Sequence, residues 1–193
     1  MDDARGVCIW FTGRSGAGKS TVTRDLVPLL EGHGRLVSVL DVVPLLAKSW
    51  CERSSEGKLL RKAFVAGEVA RHGGIAVCVT VSARSRVRDT ARRIVGAEHF
   101  VEVFADAPAQ VTAARKAARN RRPSMRKRVR HAIRSLRSLG GGDGYELPSA
   151  PNLIIDTVSV PPERNAQAIV DLLVARGFLP PQEHLRPASS RDR

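Results

Sequence analysis

The sequence predicts an α/β domain in which a parallel β-sheet is covered by helices on both faces. Five short apolar runs, rich in β-branched residues, alternate with segments that carry apolar residues at helical spacing. A glycine-rich loop follows the first run and precedes the first helical segment. With 193 residues and 42% hydrophobic content, the chain is long enough for one well-buried core, so we expect a single domain.

The predicted elements follow in chain order. The strands are residues 7–12, 36–40, 75–81, 100–104 and 153–155. The helices are residues 21–30, 58–72, 84–95, 108–119 and a last one capped by Ser159 and ending at Arg176. We also draw a helix over residues 124–138 within a basic segment, and we expect the polar tail 181–193 to be disordered.

The glycine-rich loop carries the strongest chemical signal. Gly13-Arg14-Ser15-Gly16-Ala17-Gly18-Lys19-Ser20, followed by Thr21, matches the phosphate-binding pattern G-x-x-x-x-G-K-[ST], which indicates a P-loop NTPase fold. Its glycines allow successive N–H groups to face phosphate oxygens at a helix N-terminus. Lys19 is predicted to reach the β/γ-phosphates and Ser20 to hold Mg²⁺, so ATP and Mg²⁺ are the expected ligands.

Polar residues follow three of the other predicted strands. Asp41, Ser82 and Asp106 lie at or just beyond strand ends, where ligands bind in open α/β sheets. Asp41 could hold a Mg²⁺-bound water or accept the proton of a substrate hydroxyl. Ser82 could act by hydrogen bonding at the strand end.

The positive charge of the chain is local. The net charge is +13, yet 11 of the 32 basic residues lie between Arg115 and Arg137, and the remainder balances at 21 basic against 19 acidic residues. This segment could be a closing lid, a polyanion-binding patch or a solvated helix. It contains no Phe, Tyr or Trp for base stacking, so we favour a basic lid over residues 115–144 and do not expect nucleic acid as a partner.

Cysteine usage and hydropathy bear on location. Cys8, Cys51 and Cys78 are odd in number, and two lie in predicted strands, as small buried residues in a reducing compartment do. The chain shows neither a signal-like start nor 18 consecutive apolar residues. We therefore expect a soluble cytoplasmic protein with no membrane partner.

Several motifs in the same order resemble the adenylylsulfate kinases, which phosphorylate the 3′-hydroxyl of adenosine 5′-phosphosulfate. The resemblance begins at Ile9-Trp10-Phe11-Thr12-Gly13 and the loop. Leu40-Asp41 resembles the start of L-D-G-D, and Val81-Ser82 with Arg88-Asp89 and Arg92 resembles I-S-P-Y-R-x-x-R-D-x-x-R. Later matches are Phe100–Phe104 with Asp106 and Pro108, Arg115 at the start of the lid, Gly141 to Pro148, and Asp156-Thr157.

The resemblance implies a kinase domain over residues 1–180 that transfers phosphate from ATP to an alcohol. It implies that Arg115 lies against the adenine of ATP and that a homodimer can form. Arg61 could hold an anionic group of the acceptor or the transferring phosphoryl group, or it could lie on a solvated helix face. Arg88 and Arg92 are expected to be surface or structural residues.

The chain departs from the family pattern at five places that concern the acceptor. Val43 replaces the second Asp of L-D-G-D, and Leu46 replaces a following arginine. In the family's N-I-R-R only Arg61 survives, P-Y-R becomes residues 83–85, and Leu139 replaces an aromatic residue that stacks on the acceptor's adenine. The leading hypothesis is therefore a kinase with a small anionic or nucleoside-like acceptor other than adenylyl sulfate. The alternatives are an ordinary adenylylsulfate kinase and a catalytically decayed nucleotide- or polyanion-binding module.

Overall fold

The computed structural model describes residues 5–40, 55–120 and 144–181. The strands are β1 (Val7–Thr12), β2 (Val37–Val39), β3 (Ile75–Val79), β4 (Phe100–Asp106) and β5 (Leu153–Asp156). The helices are α1 (Lys19–Gly32), α2 (Ser55–Arg71), α3 (Ser85–Val95), α4 (Ala109–Asn120) and α5 (Pro162–Ala175), with a 3₁₀ turn at Ala97–His99. No helix within these ranges is long and apolar enough to cross a membrane.

The strands form one parallel sheet in the order β2-β3-β1-β4-β5. The alternation of side chains along β1 divides the core into two layers. Val7, Ile9 and Phe11 face α1 and α5, whereas Cys8 and Trp10 face α2 and α3. The predicted α/β class, with helices on both faces of a parallel sheet, is thus confirmed.

The sheet places β1 at its centre, with β3 and β4 as its neighbours. All three strands end at the same edge, so the loop after β1 and the segments after β3 and β4 lie side by side. This edge is where the sequence predicted the ligand site.

Two predicted boundaries were wrong for local reasons. The strand predicted to reach Val81 ends at Val79, where the Thr80 backbone N–H and hydroxyl both donate to the Phe11 carbonyl, at 3.1 and 2.8 Å. The last helix is not capped by Ser159, because its backbone N–H donates to Asp156 Oδ1 and the helix begins at Pro162.

Arg35 joins three chain segments at the opposite edge of the sheet. Its guanidinium donates to the carbonyls of Arg5, Gly73 and Phe178. The Arg5 guanidinium also lies 4.9 Å from the centre of the Phe178 ring. The described chain therefore enters and leaves the fold at the pole away from the predicted ligand edge.

The cysteines of the central strands are free and buried. Cys8 and Cys78 lie with their sulfur atoms 4.0 Å apart, and burial raises the pKa of the Cys8 thiol well above its usual range. The interpretation of these two as small buried residues is confirmed, while Cys51 lies outside the described residues.

Candidate active site

The loop between β1 and α1 has the backbone shape that its glycines predicted. Gly13, Gly16 and Gly18 have φ values of +140°, +94° and +85°, which residues with a Cβ rarely adopt. A Cβ on Gly13 would also lie 2.6 Å from the Ala105 carbonyl oxygen. Both conformation and close packing therefore require glycine at the start of the loop.

Lys19 lies across the loop that precedes it. Only 7% of the residue is exposed, and its Nζ donates to the carbonyl oxygens of Gly13 at 2.7 Å and Arg14 at 2.9 Å. Its ammonium is thus held among the loop's backbone groups at the N-terminal end of α1, where the helix dipole favours an anion.

A cavity of about 340 Å³ opens over this loop. It is lined by residues 15–21 and 79–81 together with Arg115 and Arg119. Lys19, Arg115 and Arg119 are its charged lining residues, so the described lining is cationic and contains no carboxylate. Such a cavity suits a polyanionic ligand such as a phosphate chain.

A second cavity of about 240 Å³ adjoins the first, and Gly18, Thr21 and Arg115 line both. Val22, Thr157, Val160, Pro162 and Asn165 complete its wall. Arg115 is held there by a hydrogen bond from its Nη2 to the Thr157 carbonyl oxygen, at 2.9 Å. A mixed apolar and polar wall next to a phosphate loop has the character of a nucleoside pocket.

Ser82 lies in a closed hydroxyl network beside the loop. Its side chain is 1% exposed, accepts from Trp10 Nε1 at 3.2 Å and donates to Thr12 Oγ1 at 2.9 Å. Thr12 in turn donates to the Val81 carbonyl oxygen at 3.0 Å and lies 2.8 Å from the Tyr145 hydroxyl. These contacts fit the hydrogen-bonding role expected for Ser82, which does not line the cavity over the loop.

A buried ion cluster of Arg88, Arg92 and Glu102 contacts this network through the Ser82 carbonyl. Arg88, 3% exposed, donates to the Ser82 carbonyl oxygen at 2.8 Å and lies 3.1 Å from Glu102 Oε1. Arg92 contacts the other oxygen of Glu102 at 2.9 Å. The pKa of Glu102 is raised because burial outweighs the attraction of the two guanidinium groups. Arg88 and Arg92 are structural, as predicted, and the cluster holds Ser82 at its positive φ of 34°.

The segment that begins at Gly144 contacts this edge through two residues to which sequence reasoning assigned no role. The Tyr145 ring stacks on Phe104 at 6.1 Å and lies 5.6 Å from the Arg14 guanidinium. Glu146 accepts from the Ser85 N–H and hydroxyl, each at 2.7 Å. These two hydrogen bonds lower the pKa of the Glu146 carboxyl. The signal for both residues was their place in the stretch from Gly141 to Pro148 that resembles the family.

The structure brings together some of the predicted site residues and not others. The loop from Ser15 to Thr21 and Arg115 share one cavity, while Gly13 and Arg14 contribute the carbonyls that hold Lys19. Arg61 lies partly exposed on α2 and does not line that cavity. Asp41, Val43, Leu46, Leu139 and the lid residues 121–143 lie outside the described residues.

The magnesium prediction has one described ligand. The Ser20 hydroxyl lies in the first turn of α1 and lines the cavity over the loop. Within residues 5–40, 55–120 and 144–181, no group of three His, Cys, Asp or Glu side chains could hold a metal. The other proposed ligand is Asp41, outside those ranges, so the metal site stays a prediction.

The fold and the cationic cavity define the class of the protein. A central parallel strand that leads through this loop into a helix, with Lys19 and arginines around a phosphate-sized cavity, is the arrangement of P-loop kinases.

The comparisons identify the family within this class. Residues 5–156 match the family model described as adenylylsulphate kinase, so the chain belongs to the adenylylsulfate kinase family and is a kinase. The adenylyl-sulfate kinase of Paraburkholderia xenovorans is 35% identical over 182 residues, which cover 92% of this chain and 98% of that protein.

Two solved structures support the same assignment. The Mycobacterium tuberculosis APS kinase in complex with AMPPNP and APS is 28% identical with a TM-score of 0.69, and the match covers 88% of this chain and 98% of that one. A hexameric APS kinase from Thiobacillus denitrificans is 27% identical with a TM-score of 0.65, covering 92% of this chain and 30% of that one.

Proposed function

We propose that this kinase transfers the γ-phosphoryl group of Mg·ATP to a hydroxyl of a small acceptor that differs from adenylyl sulfate and is anionic or nucleoside-like. The observation that carries the ATP part is the cavity over the phosphate loop, with Lys19 and two arginines in its wall. Similarity to adenylyl-sulfate kinases supports the reaction class.

ATP would span the two adjoining cavities. The adenosine would lie in the smaller cavity against Arg115 and Thr157, and the triphosphate over residues 15–21. The Ser20 hydroxyl and Asp41 would hold Mg²⁺, which favours oxygen ligands. One or two protein ligands are sufficient, because phosphate oxygens and water molecules complete the coordination of the ion. Bound there, the ion would neutralise charge on the β- and γ-phosphates.

The transfer itself makes one bond and breaks one. The acceptor oxygen bonds to the γ-phosphorus, the bond from that phosphorus to the β,γ-bridging oxygen breaks, and ADP leaves. We assign the hydroxyl proton to the Asp41 carboxylate, which follows β2 in the sequence. Lys19 would neutralise the charge that develops on the phosphoryl oxygens.

A changed acceptor is supported by the exit from β3. Ser85 occupies the position of the family's P-Y-R arginine, and its hydroxyl is bound to the Glu146 carboxylate. The nearby Arg84 guanidinium lies 3.7 Å from the same carboxylate. An arginine at residue 85 would add positive charge that could bind the sulfate group of adenylyl sulfate. The serine found there adds none, and the Glu146 carboxylate lies close to it and to Arg84. Arg61 is the residue we propose for an anionic group of the true acceptor.

An assay of acceptor-dependent ADP release tests the proposal. Adenylyl sulfate is measured beside a panel of small anionic alcohols and nucleosides, with a reaction lacking acceptor as the blank. Release with another alcohol at higher kcat/KM than with adenylyl sulfate supports the proposal. Efficient release with adenylyl sulfate favours an ordinary adenylylsulfate kinase, and nucleotide binding without any acceptor-dependent release favours the decayed module.

The oligomeric state of the enzyme and its location in the cell are also proposals. Similarity to APS kinases, one of which is hexameric, supports self-association without fixing a dimer. Size-exclusion chromatography with light scattering measures the assembly, and fractionation of cells tests the cytoplasmic location.

A further inference from the structure

Within the described residues, two buried lysines lie at the carboxyl edge of the sheet. Lys62, on α2, is 8% exposed, about as little as Lys19 at 7%. Its Nζ donates to the carbonyl oxygen of Val79, the last residue of β3, at 3.3 Å. A third buried cation of the described chain, Arg88, pairs with Glu102 inside the fold. Lys19 serves the phosphate loop, whereas Lys62 has no role in the scheme above.

The Lys62 ammonium lies where β2 stops and β3 continues. The Leu40 N–H, one residue past the end of β2, donates to the Val77 carbonyl oxygen at 2.8 Å. Carbonyls two residues apart along a strand point to the same side, so the Val79 carbonyl points past the end of β2. Lys62 therefore places its charge in the corner between the ends of these two strands.

This corner is on the side of the sheet where the acceptor is expected. The nucleoside pocket lies toward β5, with Thr157 in its wall, and residues 79–81 border the cavity over the phosphate loop. In the sheet order β2-β3-β1-β4-β5, the proposed ATP would thus run from the β5 side across the loop toward β3. The acceptor oxygen attacks the γ-phosphorus opposite the departing ADP, which places the acceptor on the β3 and β2 side.

The surroundings of Lys62 on its helix are apolar. Leu59, Ala63 and Ala66 of α2 belong to the same core layer as Leu40. Removing an ammonium from water is costly, and an apolar side chain at residue 62 would fit this layer without that cost. A buried cation that reaches the ligand edge of a sheet is therefore a candidate for binding an anion.

The position of Lys62 also differs from those of the arginines that the resemblance places around the acceptor. Those arginines would stand at residues 46, 60 and 85, which are Leu, Leu and Ser in this chain. Residues 60 and 62 point to different faces of a helix. Lys62 would therefore meet an anionic group placed differently from one that an arginine at residue 60 would bind.

We propose that Lys62 is a specificity-determining residue that binds an oxyanion of the acceptor, a phosphate or a carboxylate, at the ends of β2 and β3. The inference rests on the proposed function and adds a second cation, next to Arg61 in the sequence, for the anionic group of the acceptor. An ammonium suits this task because it presents several N–H donors around one compact charge.

Thermal unfolding of the full chain saturated with Mg·AMP-PNP tests the assignment. Inorganic phosphate and acetate are the probes, which distinguish the two oxyanions, and sodium chloride at equal ionic strength is the reference. Because AMP-PNP occupies the phosphate loop, an added anion must bind elsewhere. The variants are Lys62→Gln, whose amide can still donate to the Val79 carbonyl without a charge, and Lys62→Met. Lys116→Gln, an exposed lysine of α4, is the matched control.

The rise of Tm with anion concentration gives a Kd for each probe. For the anion that stabilises the wild type, we expect Lys62→Gln to raise this Kd about 10- to 100-fold, the loss typical of a hydrogen bond to a charged group. Lys116→Gln should stay within about twofold. Without added anion, we expect the Tm of Lys62→Met to equal or exceed that of wild type, because methionine suits the apolar layer.

The outcomes separate this inference from the proposed function. Equal Kd values for Lys62→Gln and the control overturn the role of Lys62, as does a wild type that neither anion stabilises more than chloride does. A lower Tm of Lys62→Met combined with unchanged anion binding by Lys62→Gln makes the lysine structural. Selective loss of anion binding supports the inference even if no acceptor in the panel is phosphorylated, which would overturn only the transfer proposal. A wild-type protein that does not bind AMP-PNP overturns both.

Once acceptors are found, turnover gives a second readout. We expect Lys62→Gln to raise KM about 10- to 100-fold for an anionic acceptor and to leave kcat/KM for a neutral alcohol within about threefold of wild type. Equal losses for anionic and neutral acceptors overturn the assignment of specificity to Lys62.

Discussion

Two clusters lie side by side at the carboxyl edge of the sheet, and they use their polar groups in opposite ways. The cavity over the phosphate loop is open and cationic, with Lys19, Arg115 and Arg119 in its wall. The hydroxyl network of Thr12, Thr80, Ser82 and Tyr145 is closed, and its members bond to one another and to backbone carbonyls. One cluster therefore presents its charges to a cavity, while the other fixes the backbone that borders it.

The first prediction breaks the open cluster. Lys19→Ala removes the ammonium that lies over the loop, and we expect kcat to fall at least about 10³-fold, as when a transition-state donor is lost. Stopped-flow or steady-state measurements of ADP release provide the rate. Lys116→Ala is the matched control, and turnover of Lys19→Ala close to that of the control would contradict the assignment of the loop.

The second prediction concerns a substitution that disrupts the Arg88–Glu102 ion pair next to the closed cluster. Glu102→Gln leaves Arg88 buried without its counter-ion, so we expect the free energy of unfolding to fall by about 3 kcal/mol. For a domain of this size that lowers Tm by about 6–12 °C. Thermal unfolding measures the change, with Glu98→Gln on the exposed 3₁₀ turn as the control. Equal Tm values for the two variants would show that the buried cluster contributes nothing to stability.

The third prediction separates the two clusters directly. Ser82→Ala removes the acceptor of the Trp10 Nε1–H and should cost about 1–3 kcal/mol of stability. Because the Ser82 hydroxyl is used within the network, we expect kcat to stay within about threefold of wild type, well short of the 10²–10⁴ that loss of an acid or base costs. A large loss of kcat with unchanged Tm would instead make Ser82 a participant in the reaction.

The smallest effect concerns the carboxylate at the border of the two clusters. The pKa of Glu146 is lowered, first by the Ser85 backbone N–H and then by its hydroxyl, so folding favours the ionised form. This contribution to stability is present above the ordinary glutamate pKa of about 4.3 and is lost as the pH falls through the lower value in the folded state. The Tm difference between wild type and Glu146→Gln should therefore shrink as the pH is lowered from 6 toward 3, because protonation removes the charge that glutamine lacks. A difference that is independent of pH in this range would contradict the role of the charge.

The open cluster could be predicted from sequence because its information is local. Eight consecutive residues fix the loop, and the strand before it and the helix after it were visible as apolar patterns. The predicted strand Val7–Thr12 is confirmed at both ends, and the helix extends to Lys19 and Gly32 beyond its predicted limits.

The closed cluster could not be predicted because its contacts are made across the fold. Thr12, Ser82 and Tyr145 are 63 or more residues apart, and they meet only through the register of β1 with β3 and the return of the chain at Gly144. Arg119 was likewise one of many arginines in a basic run. Its position over Ser15 depends on how α4 packs against the loop, where a Cβ on Gly16 would lie 2.6 Å from the Thr112 carbonyl oxygen.

The contacts that Arg35 makes with Arg5, Gly73 and Phe178 bear on how this domain could be joined to another one. Arg5 and Phe178 are in contact, and both lie at the edge of the sheet opposite the cavity over the phosphate loop. A second domain joined close to Arg5 or Phe178 would therefore be expected to leave this cavity open.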